Sequence, residues 1–264
     1  AEQIRLVPVA DTEDEEIIVA QDWSSRQEPS EKEAYAEEEG YETITSVAVE
    51  EMKNTHAIGD SFALDDRGLT ARVAGVQIAD DLALLDATLW EEDFAKETDE
   101  NGALRPAKIQ YVKAGDRNTL SEEVESREVP QKLVYAAVEY TNTSGEEMTD
   151  VLFFGSLACI AEADGRMQMI TEEQPGENDT WEMAVNHGLS ARKEMIYYDV
   201  HGGERGNNYI KSIKPGETVT VHMAWIVTEE ELENLYLNLD TYGGIYEFTE
   251  NSLQTGYVVI RSGH

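Results

Sequence analysis

The stretch TVTVHMAWIV, residues 218–227, decides the fold class of this chain. Apolar side chains occupy every second position of it: Val219, Val221, Met223, Trp225 and Val227. A period of two places alternate side chains on opposite faces of a β-strand, so this pattern predicts a strand with one buried face. Pro215 and Gly216 just before it predict a tight turn. The stretch therefore indicates an antiparallel β-protein.

Two further segments carry the same signal. Gln131–Asn142 alternates in the same way and ends at a run of turn residues. Ser61–Leu64 and Leu69–Ile78 flank the turn Asp65–Gly68, which predicts a β-hairpin. The apolar set changes face in the second arm of this hairpin, and a one-residue slip of that kind predicts a β-bulge at Gly75.

The remaining body is also divided into short apolar runs. Val151–Ala161 is apolar on both faces, which predicts a central strand. Thr228–Glu231 forms a capping box and predicts one or two helical turns. Residues 91–130 are the least regular part and are interpreted as an insertion with one short strand, 109–112. We predict an all-β, antiparallel immunoglobulin-like β-sandwich with short helical turns over residues 43–264.

The first 42 residues differ from this body. Thirteen acidic residues between Asp11 and Glu42 face only two basic ones, and such a charge density favours an acidic N-terminal spacer that is at most partly ordered. Within it, residues 17–20 are a candidate edge strand and residues 31–39 a candidate short helix. The chain starts at Ala1 without Met, a basic region or an apolar region, so a targeting segment is expected to have been removed.

Composition excludes several classes of function. The 264 residues contain 55 acidic and 20 basic side chains, for a net charge of −35. Nucleic acids and anionic membranes would repel such a chain. A single cysteine excludes an internal disulfide framework and a cysteine zinc cluster. No apolar run approaches the roughly 20 residues of a transmembrane helix.

Metal ligands and catalytic groups give weak signals. The candidate calcium ligands are two pairs of adjacent aspartates, Asp65 with Asp66 and Asp80 with Asp81, although a solvated acidic face is the more ordinary interpretation of such charge. An EF-hand aligned on Gly102 fails, since Lys108 would occupy the last ligand position. Cys159 lies in an apolar run and is expected to be a core residue. No catalytic residue and no required cofactor is predicted.

The region 174–208 is the most suggestive for binding, because it is a long, glycine- and asparagine-containing stretch between strands. Its candidate binding residues are aromatic or cationic: Trp181, His187, Tyr198, His201 and Arg205. Aromatic side chains are good contact anchors. Trp181 could equally cover one end of the hydrophobic core.

The order of elements in the second half resembles a known family. A strand ending in Asn-Thr-Ser (138–144) is followed by a Pro-Gly-Glu-Thr-Val strand (215–219), an acidic turn (229–231) and the strand 235–239. Together these resemble the immunoglobulin-like ectodomains of secreted lipoproteins of Gram-positive bacteria. The resemblance covers about residues 60–261 and implies a cell-surface location with a lipid anchor in the full-length precursor. The chain departs from the family in lacking a lipidation cysteine and in carrying the insertion.

These observations favour a non-enzymatic, extracellular, membrane-tethered binding module. Its ligand would be a protein, a glycan or a cationic molecule, since an acidic surface attracts cations. The alternative is a carbohydrate-binding or carbohydrate-processing module that uses the loop aromatics as stacking platforms. A third interpretation, adaptation to high salt, rests on the acid excess and the nine lysines.

Overall fold

A computed structural model describes residues 44–89, 96–113, 122–170, 180–185, 195–203, 207–240 and 247–260. The sixteen strands among these residues are, in chain order, β1 (Ser46–Ala48), β2 (Thr55–His56), β3 (Ser61–Ala63), β4 (Leu69–Ala79), β5 (Ala107–Lys113), β6 (Glu122–Val129), β7 (Gln131–Asn142), β8 (Met148–Leu152), β9 (Ser156–Ala163), β10 (Arg166–Met169), β11 (Thr180–Val185), β12 (Tyr197–Tyr198), β13 (Tyr209–Ile213), β14 (Thr218–Thr228), β15 (Leu235–Asn238) and β16 (Tyr257–Val259). The helical segments are three 3₁₀ helices, Val49–Met52, Ala87–Leu89 and Glu229–Asn234, and the α-helix α1, Glu250–Thr255. The all-β class is confirmed. The predictions for residues 1–42 lie outside the described residues.

The long alternating strands form a five-stranded sheet in the order β12-β14-β7-β4-β3. β14 pairs antiparallel with β7 along its whole length, from Thr218 opposite Thr141 to Thr228 opposite Gln131. The hairpin β3–β4 is present as predicted. The register of β4 against β7 shifts between Val73 and Gly75, which confirms the predicted bulge.

Shorter strands form a six-stranded sheet in the order β1-β10-β9-β15-β16-β2. β9 and β15 lie in its middle, and Leu235 is opposite Cys159. The edge strand β2 runs parallel to β16. This pair is an exception to the predicted antiparallel arrangement, because Thr55 and His56 are far from β16 in the sequence and are not joined to it by a hairpin.

The two sheets share one hydrophobic core. Their inner faces meet through buried side chains that include Val138 and Trp225 from the five-stranded sheet and Leu157 and Leu237 from the six-stranded sheet. The Trp225 Nε1–H donates to the carbonyl oxygen of Gly155 at 3.0 Å. Apolar burial of this kind is the main stabilising contribution to such a fold. Cys159 is buried in this core as predicted. The immunoglobulin-like arrangement of the strands stays a prediction.

The outer faces of both sheets are also partly covered. Met52, Phe248 and Tyr257 pack on the outer face of the six-stranded sheet, next to α1. Helix α1 begins after Thr249, whose Oγ1 accepts the Ser252 N–H at 3.0 Å. Leu82 and Leu85 cover one end of the outer face of the five-stranded sheet. Strands buried on both faces therefore occur in both sheets.

Two predictions about the strands need correction. The run 151–161 is not one central strand, because residues 153–155 interrupt it and send β8 and β9 into different sheets. Gly155 permits the close approach of Trp225 at this break. The insertion 91–130 contains two long strands, β5 and β6, which form a three-stranded sheet with β11. Sequence reasoning missed β6 because its charged residues hide the alternation.

Candidate functional site

A cleft of about 1150 Å³ opens at one end of the sandwich. Its walls are the β3–β4 turn, the segment from Ser144 into β8, the start of β13 at Tyr209, the end of β15 and helix α1. The polar side chains along these walls include Asp65, Arg67, Glu146, Glu147, Asp150 and Asp240. The cleft is thus formed by elements that are far apart in the sequence, and it has the size of a small-molecule or peptide site.

One buried asparagine holds the β7–β8 wall of the cleft. Asn142 is fully buried, and its Nδ2 donates to the carbonyl oxygens of Glu146 at 2.7 Å and Ile213 at 2.8 Å. Its Oδ1 accepts the Ser144 N–H at 2.9 Å. All the polar atoms of the side chain are therefore used to bend the chain after β7. This bend presents Glu146 and Glu147 to the cleft.

The charge of the cleft is strongly negative. Among the described residues, five acidic side chains line it, those of Asp65, Glu146, Glu147, Asp150 and Asp240, against the guanidinium of Arg67. Arg67 is paired with Asp65 at 2.8 Å and so neutralises a carboxylate of its own turn. Walls with one sign of charge raise the local concentration of counter-ions. The arrangement therefore favours a cationic ligand.

Asp240 lies where the cleft meets a buried polar region. The Asp240 N–H donates to the Oδ1 of Asn238 at 2.8 Å, at the end of β15. The Tyr257 hydroxyl lies nearby and donates to the Ser252 Oγ at 2.9 Å. Burial and the charge of Asp240 raise the pKa of Tyr257 to about 12, against the opposing effect of the Ser252 hydrogen bond and of the nearby Asn238 amide.

The four aspartates singled out as calcium ligands lie in two separate turns. In the first turn, the Asp65 Oδ1 accepts the N–H groups of Arg67 and Leu69, both at 3.0 Å, while Asp66 is exposed. Asp65 thus serves the hairpin turn. Within the described residues, the first pair does not combine with Asp80 and Asp81 into one metal-ligand cluster.

In the second turn, Asp80 forms an ion pair with Lys132, and the Asp81 Oδ1 accepts the Ala83 N–H at 2.9 Å. Hydrogen bonds to Asp80 and Glu229 raise the pKa of Lys132. Within the described ranges, no three His, Cys, Asp or Glu side chains are placed to hold a metal ion. Calcium binding stays a prediction.

The loop that was compared with an EF-hand is a tight turn. The Asp99 Oδ1 accepts the N–H groups of Asn101 at 2.8 Å and Ala103 at 3.1 Å. These contacts, with the Asn101 N–H making the largest contribution, lower the pKa of Asp99. The φ of Gly102 is +84°, in the region that favours glycine. The aspartate therefore stabilises the turn.

The predicted binding residues of the region 174–208 are only partly described. Tyr198 is half-buried at the edge of the main core, with its ring 5.5 Å from Phe153 in an edge-on contact. His201 is exposed, and its ring lies 4.7 Å from the Tyr198 ring. His187, Arg205 and the side chain of Trp181 lie outside the described residues. The structure therefore brings together two of the five candidates, Tyr198 and His201.

A histidine–aspartate pair on the outer face of the five-stranded sheet was missed. The His222 Nδ1 lies 2.6 Å from the Asp199 Oδ2, and the His222 N–H donates to the Asp199 Oδ1 at 2.8 Å. The Tyr135 ring stacks on the His222 ring at 5.4 Å. Alternation in β14 placed His222 on this face, but its partner comes from another part of the chain. The pair fixes the short strand β12 to β14.

Sequence reasoning also missed the acidic residues of the cleft. Glu146, Glu147, Asp150 and Asp240 are four among 55 acidic residues, and only the folded chain distinguishes them.

In the part of the chain that the structure describes, no helix has the length and apolar character needed to cross a membrane. Comparisons with protein-family models, with curated proteins and with solved structures gave no match to this chain.

Proposed function

We propose that this protein is a non-enzymatic, extracellular and membrane-tethered binding module that holds a cationic ligand in the cleft at the end of its sandwich. The observation that carries the proposal is the cleft itself, with about 1150 Å³ of space and, among the residues that the structure describes, five carboxylates against one guanidinium. A peptide segment rich in Lys or Arg has the charge and the length to occupy it. The extracellular location is supported by the family resemblance of the strand order.

Two features of the walls support binding rather than simple solubility. The β7–β8 wall is held by the buried Asn142, so Glu146 and Glu147 are presented from a fixed bend. The opposite wall is formed by α1, whose Asn251, Gln254 and Thr255 add hydrogen-bonding side chains. Because the backbone that carries Glu146 and Glu147 is already held, less conformational entropy is lost when a cation binds, which favours affinity.

The test is isothermal titration calorimetry of the whole chain with a hexalysine peptide, with a hexaglutamate peptide as the control ligand. We expect hexalysine to bind one molecule per chain and to bind less tightly as salt rises. The double variant Glu146→Gln/Glu147→Gln should weaken binding by about tenfold, the size expected for two lost charge contacts.

A matched variant distinguishes the contribution of the cleft carboxylates to binding from that of the overall negative charge. Glu50→Gln/Glu162→Gln removes the same two charges from exposed positions away from the cleft, and it should leave the affinity within about twofold of wild type, because distant charges are screened. Equal losses in the two double variants would mean that hexalysine binds the general surface charge. That result, or no binding of hexalysine at all, would overturn the proposal.

A further inference from the structure

Two buried polar side chains lie side by side on the outer face of the six-stranded sheet. Ser156 and Asn238 are opposite each other in the β9–β15 pair, and both have 0% exposure. Neither the Ser156 Oγ nor the Asn238 Nδ2 has a hydrogen-bond partner among the protein atoms. Buried polar groups in folded proteins are nearly always hydrogen-bonded, so this pair needs an explanation.

A third polar group lies at the same place. The Tyr257 hydroxyl belongs to β16, the strand beside β15, and it donates to the Ser252 Oγ of α1. The Asn238 amide is close enough to lower the pKa of Tyr257, although it does not reach the geometry of a hydrogen bond with the hydroxyl. Three polar side chains thus lie on the adjacent strands β9, β15 and β16, and the Ser156 Oγ and Asn238 Nδ2 still lack a well-formed hydrogen bond.

The spacing in a β-sheet explains why these groups do not bond directly. Opposite residues of an antiparallel pair have Cβ atoms roughly 4.5–5.5 Å apart, which is too far for the short side chain of a serine to reach every partner. A buried water molecule would supply the missing partners, because such a water typically makes two to four hydrogen bonds to buried polar groups.

We propose that Ser156, Asn238 and Tyr257 hold one buried water molecule between the six-stranded sheet and helix α1. The ligand is water rather than a metal cation, because the Asn238 Oδ1 already accepts the Asp240 N–H. The amide nitrogen is the atom that remains, and its N–H groups donate to a water oxygen but repel a cation. The Ser156 hydroxyl accepts a hydrogen bond from the water or donates one to it.

This water site has a consequence for the cleft. Asn238 holds the Asp240 backbone through its Oδ1 and binds the water through its Nδ2, so the water orients the amide that positions Asp240. Asn238 is therefore a positioning residue of the cleft wall. The inference does not depend on the identity of the cleft's ligand and stands apart from the proposed function.

A crystal structure of the whole chain at a resolution that shows ordered water provides the direct test. We expect one electron-density peak within hydrogen-bond distance of both the Ser156 Oγ and the Asn238 Nδ2. A direct hydrogen bond between these two side chains without such a peak would overturn the proposal.

A pair of variants tests the same inference in solution. Ser156→Ala should lower the midpoint of thermal unfolding, because it removes a partner of the bound water. Tyr140→Phe is the matched control, since the Tyr140 hydroxyl is also buried without a partner and burial alone accounts for its raised pKa. Removing that hydroxyl should leave the midpoint unchanged or raise it. If Ser156→Ala behaves like Tyr140→Phe, the Ser156 hydroxyl has no water partner and the proposal is wrong.

Discussion

The five-stranded sheet is built around three long strands, whereas the six-stranded sheet consists mostly of short ones. In the first, β4, β7 and β14 have 11, 12 and 11 residues. In the second, β15 has four residues, β16 three and β2 two. A long strand makes many hydrogen bonds, and its alternation alone specifies which face is buried. A short strand makes few, so its position depends on side chains that reach it from other elements.

The packing around each sheet agrees with this difference. The inner face of β14 contributes Val221, Met223, Trp225 and Val227 to the main core, all of them apolar and alternating. The six-stranded sheet is held also from outside, by Phe248 and by residues near α1. Both sheets are covered on both faces, but the five-stranded sheet has long alternating strands as its main support, while the shorter strands of the six-stranded sheet depend more on side chains that pack on its outer face.

The largest expected effect comes from the residue that joins the two sheets. Trp225 is fully buried and donates to the Gly155 carbonyl oxygen. Trp225→Ala should reduce the free energy of unfolding by about 3–5 kcal/mol, through lost burial and a cavity between the sheets. Urea unfolding measures it. Trp225→Phe, which keeps a ring, should cost clearly less, and equal costs would show that the hydrogen bond rather than packing joins the sheets.

The next largest effect is expected for Gly256→Ala, which tests how far the short strands depend on tertiary contacts. Gly256 has φ +89° and ψ −179°, a region that is essentially restricted to glycine. A Cβ at this position would lie 1.8 Å from the Asn54 carbonyl oxygen, at the junction of β16 with β2. Gly256→Ala should therefore cost about 2 kcal/mol or more.

Gly59→Ala is the matched control for this effect. Gly59 also has a positive φ, +97°, but no atom lies within 4 Å of the place that an alanine Cβ would occupy, so only the conformational cost of about 1 kcal/mol is expected. Chemical denaturation of the two variants gives the comparison. Equal losses would mean that contacts between β2 and β16 contribute nothing to the six-stranded sheet.

A smaller effect is the loss of stability at alkaline pH that one buried tyrosine from each sheet should cause. Burial raises the pKa of Tyr140 in β7 far above its ordinary value and raises the pKa of Tyr257 in β16 to about 12. Because the folded state disfavours both tyrosinates, their contribution to stability is complete below pH 10 and is lost as pH rises. Each adds a slope of about 1.4 kcal/mol per pH unit above pH 10, and for Tyr257 this slope ends near pH 12.

Urea unfolding at pH values of about 9, 10 and 11 checks this prediction. Tyr140→Phe and Tyr257→Phe should each remove one tyrosine's share of the alkaline loss of stability. Tyr257→Phe should also lose stability at neutral pH, since its hydroxyl donates to Ser252. An alkaline slope that neither variant changes would show that these two hydroxyls are not the buried groups that titrate.

Most of the fold, and little of the candidate site, could be predicted from the sequence. The strand ends at Gln131 and Asn142 and the bulge at Gly75 were predicted because hydrophobic alternation and turn residues are local signals. The break between β8 and β9 at Gly155 was not, because a close contact with Trp225 is not visible in a local pattern. The cleft was missed for the same reason, since its described walls come from five separate segments of the chain.

The sequence by itself determined the all-β class, the long central strands, the hairpin and the acidic character of the surface. These follow from the spacing of apolar residues and from net charge, which need no knowledge of distant contacts. Only the tertiary structure decided which of 55 acidic residues face one cleft and that Ser156 lies beside Asn238. The physical reason is that short strands and turns take their neighbours from packing between remote segments, which no local pattern records.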